Sequence, residues 1–333
     1  MNSLGNPDKM THNAQLRLMN ENWDILIVLD ACQYPYFEKV YRKYFSGNLE
    51  KRISPGSCTL EWCEKSFAEY YPDVVYVSGN PYISSARQVK GFSGGYHFSS
   101  VIDVWAFGWS EQYGTVLPDQ MNRSASKAMR KYPGKKFIVH YMQPHEPYIV
   151  GRFSDEGFPA PFTAGPLLGL QGHQHGLWRE KMINYLSFIL FKAQIVKNPW
   201  VVREKLRLPP ANPMDLIRRK YGIAGLREAY TENLEVVLWY VARLSQEVLW
   251  NNQEARIVIT ADHGELLGEA GRFSHYRGMK DPLLIEIPWF MVNGVNQLPS
   301  LQEMVGKFDL SWAGSEKQKL EERLRRLLRA ARI

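Results

Sequence analysis

The chain has 333 residues, of which 45% are apolar and 23% charged, and only three are cysteines. This composition is that of a globular protein and excludes both a disordered chain and a small disulfide scaffold. The formal net charge is +7, but residues 315–333 carry seven Lys/Arg and three Glu, which leaves the remainder only mildly basic and argues against a dedicated nucleic-acid-binding protein.

The sequence also carries information about membranes. It has no apolar run approaching the roughly 18 residues that a membrane span needs, and residues 1–15 lack the basic-then-apolar pattern of a secretory signal. We therefore expect a cytoplasmic protein. The basic C-terminal stretch leaves a weak contact with a membrane surface open.

The first half of the chain alternates apolar runs with helical patterns. Short apolar runs bounded by polar residues predict buried parallel strands at Asp24–Leu29, Asp73–Ser78 and Lys136–Tyr141. Helices are predicted between them at Tyr36–Tyr44, Leu60–Tyr70 and Pro118–Tyr132. This alternation predicts an α/β fold with a doubly wound, mostly parallel sheet flanked by helices.

In the second half, the sequence predicts a loop over Gly151–Gly176 and a helical insertion over Leu177–Tyr221, broken at its prolines. A long helix at Gly225–Trp250, a strand from Ile257 and a last strand at Pro282–Val292 are then predicted. The predicted domains are an N-terminal extension (1–22), a catalytic domain (23–295) that contains the insertion, and a basic amphipathic C-terminal helix (296–333).

Polar side chains of metal-binding types follow three of the predicted strands. They are Asp30, the pair His140 and His145, and Asp262-His263. Ligands bind beyond the carboxyl ends of the strands in open α/β sheets, so these residues can converge there. His275 lies twelve residues beyond His263, after two glycines that let the chain fold back.

A loop with several hydroxyl groups precedes the helix predicted at residue 60. The N-terminus of that helix would offer free N–H groups to an anion. Thr59 is the candidate nucleophile in this loop, and Ser54, Ser57 and Cys58 are the alternatives.

Four motifs, in this order, resemble the alkaline phosphatase/sulfatase superfamily. They are ILIVLDACQYPYF, SPGSCTLEW, HYMQPHEPY, and TADHGELLGEAGRFSH with the later IPWF. Together they span Asp24 to Val292, and the block DHGELLGEAGRFSH is most similar to the phosphoethanolamine and lipoteichoic-acid transferases. Cys58 is followed by Thr-Leu-Glu-Trp, so the C/S-x-P-x-R motif of formylglycine sulfatases is missing.

The resemblance implies a role for each matching residue. Asp30, Thr59, Asp262 and His263 match metal ligands, and Thr59 also matches the nucleophile of the transferase branch. His145 and His275 match histidines that contact the transferred group or hold a second ion. The implied cofactor is a divalent metal, zinc or manganese, with calcium less suited to a histidine ligand.

The expected function is that of a metal-dependent hydrolase or transferase acting on a phosphate or sulfate ester. The substrate would be a small molecule or would be linked to a glycan or lipid, and nucleic acid is not expected. Hydrolysis of phosphodiesters or phosphonates is the nearest competitor. The alternative from another class is a catalytically silent superfamily member that binds an anionic glycan or lipid head group.

Some histidines have weaker assignments. His140 is either an extra ligand or a strand residue. His97, His173 and His175 have no partner motif and are expected to be exposed, although His173 and His175 could line the rim of the site.

Overall fold

The computed structural model describes residues 15–86, 88–89, 91–154, 182, 185–186, 189–190, 195–198, 200–310 and 312–313. Residues 314–333 of the predicted C-terminal helix (296–333), His173 and His175, and most of the loop predicted at 151–176 lie outside the described residues. No helix in the described ranges has the length and apolar character to span a membrane. The division into domains remains a prediction.

The strands of this part of the chain form one large sheet and two short pairs. In chain order they are β1 (Ile25–Leu29), β2 (Phe45–Ile53), β3 (Tyr71–Ser78), β4 (Phe98–Asp103), β5 (Trp109–Ser110), β6 (Thr115–Val116), β7 (Lys136–Tyr141), β8 (Ile257–Ala261), β9 (Leu266–Leu267), β10 (Phe273–Ser274) and β11 (Glu286–Val295). The large sheet has the order β2-β11-β8-β1-β7-β3-β4, whereas β5 pairs with β6 and β9 with β10.

The helices occupy the connections between strands. They are α1 (Tyr34–Val40), α2 (Thr59–Ser66), α3 (Val104–Phe107), α4 (Pro118–Lys131), α5 (Gly151–Ser154), α6 (Val201–Lys205), α7 (Pro213–Asn251), α8 (Pro282–Ile285) and α9 (Leu301–Phe308). α4 packs against β3 and α7, and α1 packs against β11 and α7.

The predicted α/β fold with a mostly parallel sheet is confirmed. β8, β1, β7, β3 and β4 are parallel, and only β11 runs antiparallel to its neighbours β8 and β2. Every residue of β1 and β8 is buried, as expected for Ile/Val/Leu runs in the centre of a parallel sheet covered by helices.

The structure corrects the elements at the sheet edges. β2 and β4 were not predicted, because these outer strands have only their first residue buried and contain no continuous apolar run. The strand predicted at Pro282–Val292 begins with helix α8, since the Asp281 side chain accepts a hydrogen bond from the Leu283 amide and Pro282 suits the first helical position.

The predicted long helix continues directly from the end of the predicted insertion. α7 begins at Pro213, where the Asn212 side chain caps it by accepting from the Asp215 amide. Gly222 interrupts the helical backbone with a φ of 70°, close to the predicted end of the insertion at residue 221. α7 is therefore two helical segments that meet at Gly222, and the second agrees with the helix predicted at Gly225–Trp250.

Candidate active site

The register of the central strands brings two aspartates together. β1 and β8 are parallel with Leu29 opposite Ala261, so Asp30 and Asp262 leave neighbouring strands side by side, and both are buried. Ala31 follows with a φ of 57°, a left-handed conformation that is costly for a residue other than glycine. Its amide donates a 3.0 Å hydrogen bond to Asp262 Oδ1.

Asp30, Thr59, His140, Asp262 and His263 form a buried group that we call the inner cluster. Thr59 Oγ1 donates a hydrogen bond to Asp262 Oδ2 at 2.8 Å and lies 3.4 Å from His263 Nε2. His263 Nε2 is 3.4 Å from Asp262 Oδ2 and 3.8 Å from Asp30 Oδ1. The structure thus brings together all four residues predicted as metal ligands.

The orientation of His263 is fixed by its own backbone. Its Nδ1 lies 2.8 Å from the Gly264 carbonyl oxygen, which can only accept, so Nδ1 carries the proton and the Nε2 lone pair points into the inner cluster. Gly264 is required here because an added Cβ would lie 2.0 Å from the Leu283 carbonyl oxygen. The Asp-His-Gly sequence therefore sets the direction in which His263 can bind.

Thr59 differs from the other hydroxyl groups of its loop. Ser54 donates to the Asp262 carbonyl oxygen, and Ser57 Oγ lies 2.9 Å from both a Glu61 carboxylate oxygen and the Tyr276 carbonyl oxygen, to either of which it can donate. Both serines therefore stabilise the turn. Among residues 54–59, all of which the structure describes, only the Thr59 hydroxyl hydrogen-bonds to a side chain of the inner cluster.

Glu61 holds this loop in place. Its carboxylate accepts from the Ser57 amide at 3.0 Å, from the Gly278 amide at 3.1 Å and from Lys65 Nζ at 2.7 Å. Burial favours the neutral acid, but the hydrogen bonds from Lys65, Ser57 and Gly278 outweigh it and lower the pKa of Glu61 to about 2. Cys58, the N-cap of α2, has a thiol whose pKa is raised by burial.

His140 belongs to the inner cluster, although the sequence left its role open. It lies in β7, fully buried, with Nδ1 2.8 Å from the Tyr76 hydroxyl. Its Nε2 is 3.8 Å from Asp262 Oδ2 and 4.0 Å from Asp30 Oδ2. Neither His140 Nε2 nor Asp30 Oδ1 has a hydrogen-bond partner, whereas Asp30 Oδ2 accepts from Asn80 at 2.6 Å.

His145, Glu265 and His275 form a second group, which we call the outer cluster. His275 Nδ1 is 3.1 Å from both carboxylate oxygens of Glu265, and His145 Nε2 is 4.0 Å from Glu265 Oε2. The side chains of His145 and His275 are 21% and 17% exposed, whereas Glu265 is buried. The His275 ring lies 4.2 Å from the His263 ring, centroid to centroid, so the two clusters adjoin.

The backbone around His145 is tied to α7 and to β1. Asn233, fully buried in α7, donates to the carbonyl oxygens of Pro144 and His145 at 3.2 and 3.3 Å and accepts from the Ile149 amide at 3.0 Å. The His145 amide donates to the Asp30 carbonyl oxygen at 3.2 Å. His145 therefore has a fixed backbone even though it lies in a loop.

The inner cluster places two acidic side chains together without a compensating positive charge. Burial and the charge of Asp262 raise the pKa of Asp30 well above its usual value. Burial lowers the pKa of both His140 and His263 to about 4, so both imidazoles are neutral at pH 7. Two carboxyl groups thus lie beside neutral nitrogen atoms, without a buried positive charge among these five residues.

The outer cluster contains the one histidine of the site that favours its charged form. Burial opposes protonation of His145, but the charges of Asp30, Glu265 and Glu146 outweigh it and raise its pKa to about 9. Burial also raises the pKa of Glu265 to about 7. Burial, and then the charge of His145, lower the pKa of His275 to about 3.

Both clusters have the residues that a divalent cation requires. The possible ligand atoms of Asp30, His140 and Asp262 all lie within 4.8 Å of one another, and so do those of His145, Glu265 and His275. The unpartnered Asp30 Oδ1 and His140 Nε2 are buried polar atoms that a cation would satisfy. Carboxylate oxygen and imidazole nitrogen together suit zinc or manganese.

The structure adds Glu265 to the site and places His97 away from it. Glu265 was part of the quoted motif without an assigned role, and its position two residues after His263 was the available signal. His97, expected to be an exposed histidine without a partner, is half-buried, its Nδ1 lies 3.0 Å from the Glu69 carbonyl oxygen, and its ring stacks on Phe92. It is not part of either cluster.

Comparison with known proteins gives only structural likenesses. No model of a protein family and no curated protein matches the chain. Integral membrane lipooligosaccharide phosphoethanolamine transferase A from Neisseria meningitidis matches with 15% identity and a TM-score of 0.40, over 80% of this chain and 47% of that one. The chain therefore spans about half the length of that transferase.

Two further solved structures are similar to the chain. The C-terminal periplasmic domain of phosphoethanolamine transferase EptC from Campylobacter jejuni has 12% identity and a TM-score of 0.37, over 80% of this chain and 77% of that one. Phosphonate monoester hydrolase of Agrobacterium radiobacter has 10% identity and a TM-score of 0.41, over 82% and 68%.

The likeness is one of fold. At that level it agrees with the resemblance indicated by the four motifs. With TM-scores below 0.5, it carries nothing about activity, and the function of this chain has to be inferred from its own residues.

The same structures correct one prediction. The expectation of a cytoplasmic protein is contradicted, because similar folds occur in a periplasmic domain and in an integral membrane protein. The prediction used the lack of an apolar run and of a leader pattern, and neither observation determines the compartment in which a globular domain works. We withdraw it.

Proposed function

We propose that the chain is a metal-dependent hydrolase or transferase of phosphate or sulfate esters, with Thr59 as its nucleophile. The observation that carries this proposal is the position of Thr59 Oγ1, which is 2.8 Å from Asp262 Oδ2 and 3.4 Å from His263 Nε2. A hydroxyl group that is hydrogen-bonded to a buried carboxylate, beside an imidazole whose lone pair faces it, is positioned to act as a nucleophile.

Asp30, Thr59, Asp262 and His263 would hold the cation, and His140 is near enough to add a ligand or to orient the two aspartates. Bound there, zinc or manganese would promote ionisation of the hydroxyl group and neutralise charge on the ester oxygens. The unpartnered Asp30 Oδ1 and the excess of carboxylates favour this occupancy.

The first half of the reaction transfers the phosphoryl or sulfuryl group to the protein. Thr59 Oγ1 forms a bond to the phosphorus or sulfur atom, and the bond from that atom to the leaving oxygen breaks. The Thr59 proton passes to solvent water before the attack, since Asp262 and His263 would both be occupied as ligands of the cation. The leaving oxygen takes a proton from His145 Nε2, whose raised pKa keeps it protonated at neutral pH.

The second half releases the group. The oxygen of water, or of an acceptor alcohol, bonds to the phosphorus or sulfur atom as the bond to Thr59 breaks. His145 takes the proton of the attacking hydroxyl, and Thr59 regains its proton from solvent water. Water as acceptor makes the chain a hydrolase, and an alcohol makes it a transferase.

The outer cluster has an alternative role. If His145, Glu265 and His275 hold a second cation, His145 is a ligand and cannot be the proton donor. The number of ions per chain separates the two roles, since one ion leaves His145 free and two ions occupy both clusters.

The experiment that tests the proposal combines metal content with trapping of the intermediate. Elemental analysis of the purified chain should find near-stoichiometric zinc or manganese. Incubation with p-nitrophenyl phosphate, bis(p-nitrophenyl) phosphate or p-nitrophenyl sulfate should release nitrophenol, and the intact mass should show one added phosphoryl or sulfuryl group located on Thr59. Absence of metal and turnover after reconstitution would instead favour a protein that only binds an anionic head group.

A further inference from the structure

The predicted insertion concentrates the positive charge of the chain. Residues 177–221 contain ten Lys/Arg and three Asp/Glu, a net charge of +7 that equals that of the whole protein. Lys197, Lys205 and Arg207 are exposed. The acidic residues Glu204 and Asp215 are both engaged by Arg218, at 2.6 and 2.8 Å. An excess of basic side chains is therefore available to an anionic partner.

The same stretch concentrates exposed apolar side chains. Six of the twelve large apolar side chains that are most exposed among the described residues lie in it, namely Met182, Tyr185, Leu186, Ile189, Ile195 and Leu206. Such a grouping is unusual on the surface of a soluble monomer and marks an interaction site.

The apolar residues at the start of this stretch follow helical spacing. Met182, Tyr185, Leu186 and Ile189 are all in helical conformation and are 39%, 61%, 48% and 43% exposed. Intervals of three and four residues are those of one helix face. An exposed apolar face accompanied by Lys and Arg is the composition of a helix that lies in a lipid–water interface.

This stretch adjoins the candidate active site. The Trp200 ring lies 5.5 Å from that of Phe273, two residues before His275. An added Cβ on Gly271 would lie 3.9 Å from Lys197, and one on Gly268 would lie 3.0 Å from Ile223, two residues after the stretch. The turn that carries His275 is thus packed against the basic and apolar stretch.

We propose that the described residues between 182 and 207 form a docking surface for an anionic lipid membrane. Apolar side chains would enter the interface while Lys197, Lys205 and Arg207 contact anionic head groups. A nucleic acid would match the charge but would leave the apolar side chains in water, so the lipid surface fits better. The further step, that the ester substrate is presented at that surface, rests on the proposed function.

Vesicle co-sedimentation tests the surface with the whole chain. Vesicles of phosphatidylcholine alone are compared with vesicles that also contain phosphatidylglycerol. The chain should bind only the anionic vesicles, and binding should weaken as salt rises. The variants Leu186→Ser/Ile189→Ser and Lys197→Glu/Lys205→Glu/Arg207→Glu should each lower the partition coefficient by at least roughly tenfold.

Matched controls have the same chemistry elsewhere on the surface. Tyr96→Ser/Phe107→Ser removes two exposed aromatic rings, and Lys39→Glu/Lys127→Glu reverses two exposed charges. Both should bind vesicles like the wild type. Equal binding by the test variants, or no binding by the wild type, would overturn the proposal. Preference for duplex DNA over vesicles, or a changed oligomeric state in the test variants, would also overturn it.

Loss of vesicle binding can be distinguished from loss of the proposed catalytic function. Thr59→Ala should bind vesicles normally and lose turnover. The docking variants should hydrolyse soluble bis(p-nitrophenyl) phosphate at the wild-type rate and act more slowly only on an acyl-chain phosphate ester embedded in phosphatidylglycerol vesicles. Vesicle binding without any turnover would preserve the surface and reject the enzyme.

Discussion

The inner and outer clusters are neighbours, but the fold builds them in different ways. Asp30 and Asp262 follow paired strands, and main-chain groups fix Asp262 and His263. His145 and His275 come from loops and retain partly exposed side chains. The contrast suggests a rigid inner cluster that performs the bond-making step and an outer cluster that meets the substrate and solvent.

The largest effect is expected from the nucleophile. Thr59→Ala removes the attacking oxygen, and we expect turnover of p-nitrophenyl esters to fall on the order of 10⁴-fold or more, with loss of the trapped intermediate. Thr59→Ser restores a hydroxyl group and should recover part of the rate. Wild-type turnover in the alanine variant would move the nucleophile to another residue.

Metal content should separate the two clusters. Asp262→Asn removes a carboxylate from the inner cluster. We expect metal affinity and turnover each to fall by at least about 100-fold. Glu265→Gln should leave the occupancy of the inner ion unchanged and lower only the occupancy of the second ion, where one is bound. Titration with zinc and manganese, followed by elemental analysis, measures both. Equal loss in the two variants would mean that the clusters form a single site.

A smaller effect is expected from the support of His145. Asn233→Leu removes the donors to the Pro144 and His145 carbonyl groups, so the histidine should lose its position while the inner ion stays bound. We expect kcat to fall roughly 10- to 100-fold with little change in KM.

Steady-state kinetics beside metal content provides the check for Asn233→Leu. A change in KM alone would assign the loop to substrate binding. Loss of metal would indicate a general structural defect instead.

The smallest effect concerns stability and pH. The lowered pKa of Glu61, about 2, means that its carboxylate stabilises the folded state fully above its ordinary unfolded pKa, and that this stability is lost as the pH falls towards 2. Glu61→Gln should therefore reduce the free energy of unfolding by roughly 2 kcal/mol at pH 7.

Urea unfolding of Glu61→Gln and wild type between pH 7 and pH 3 measures this difference. The gap between the two proteins should shrink at the acidic end. A gap that stays constant with pH would assign the effect to packing rather than to the charge of the carboxylate.

The central strands and the inner ligands were predictable from local sequence. β1, β7 and β8 are short apolar runs, and Asp30 and Asp262-His263 follow two of them directly. The hydroxyl loop was equally visible, but its four candidates were not separable. Only the hydrogen bonds of Ser54 and Ser57, made to groups distant in sequence, distinguish Thr59 from its neighbours.

The sequence by itself determined the strand centres, the order of the motifs and the residue types available to a metal, because apolar periodicity and turn residues act locally. Tertiary structure alone decided the antiparallel direction of β11, the inclusion of His140 and Glu265, and the adjacency of the two clusters. These features depend on which strands pair and in what register, and on contacts between residues more than 200 positions apart, such as Ala31 with Asp262. Local patterns do not encode such contacts.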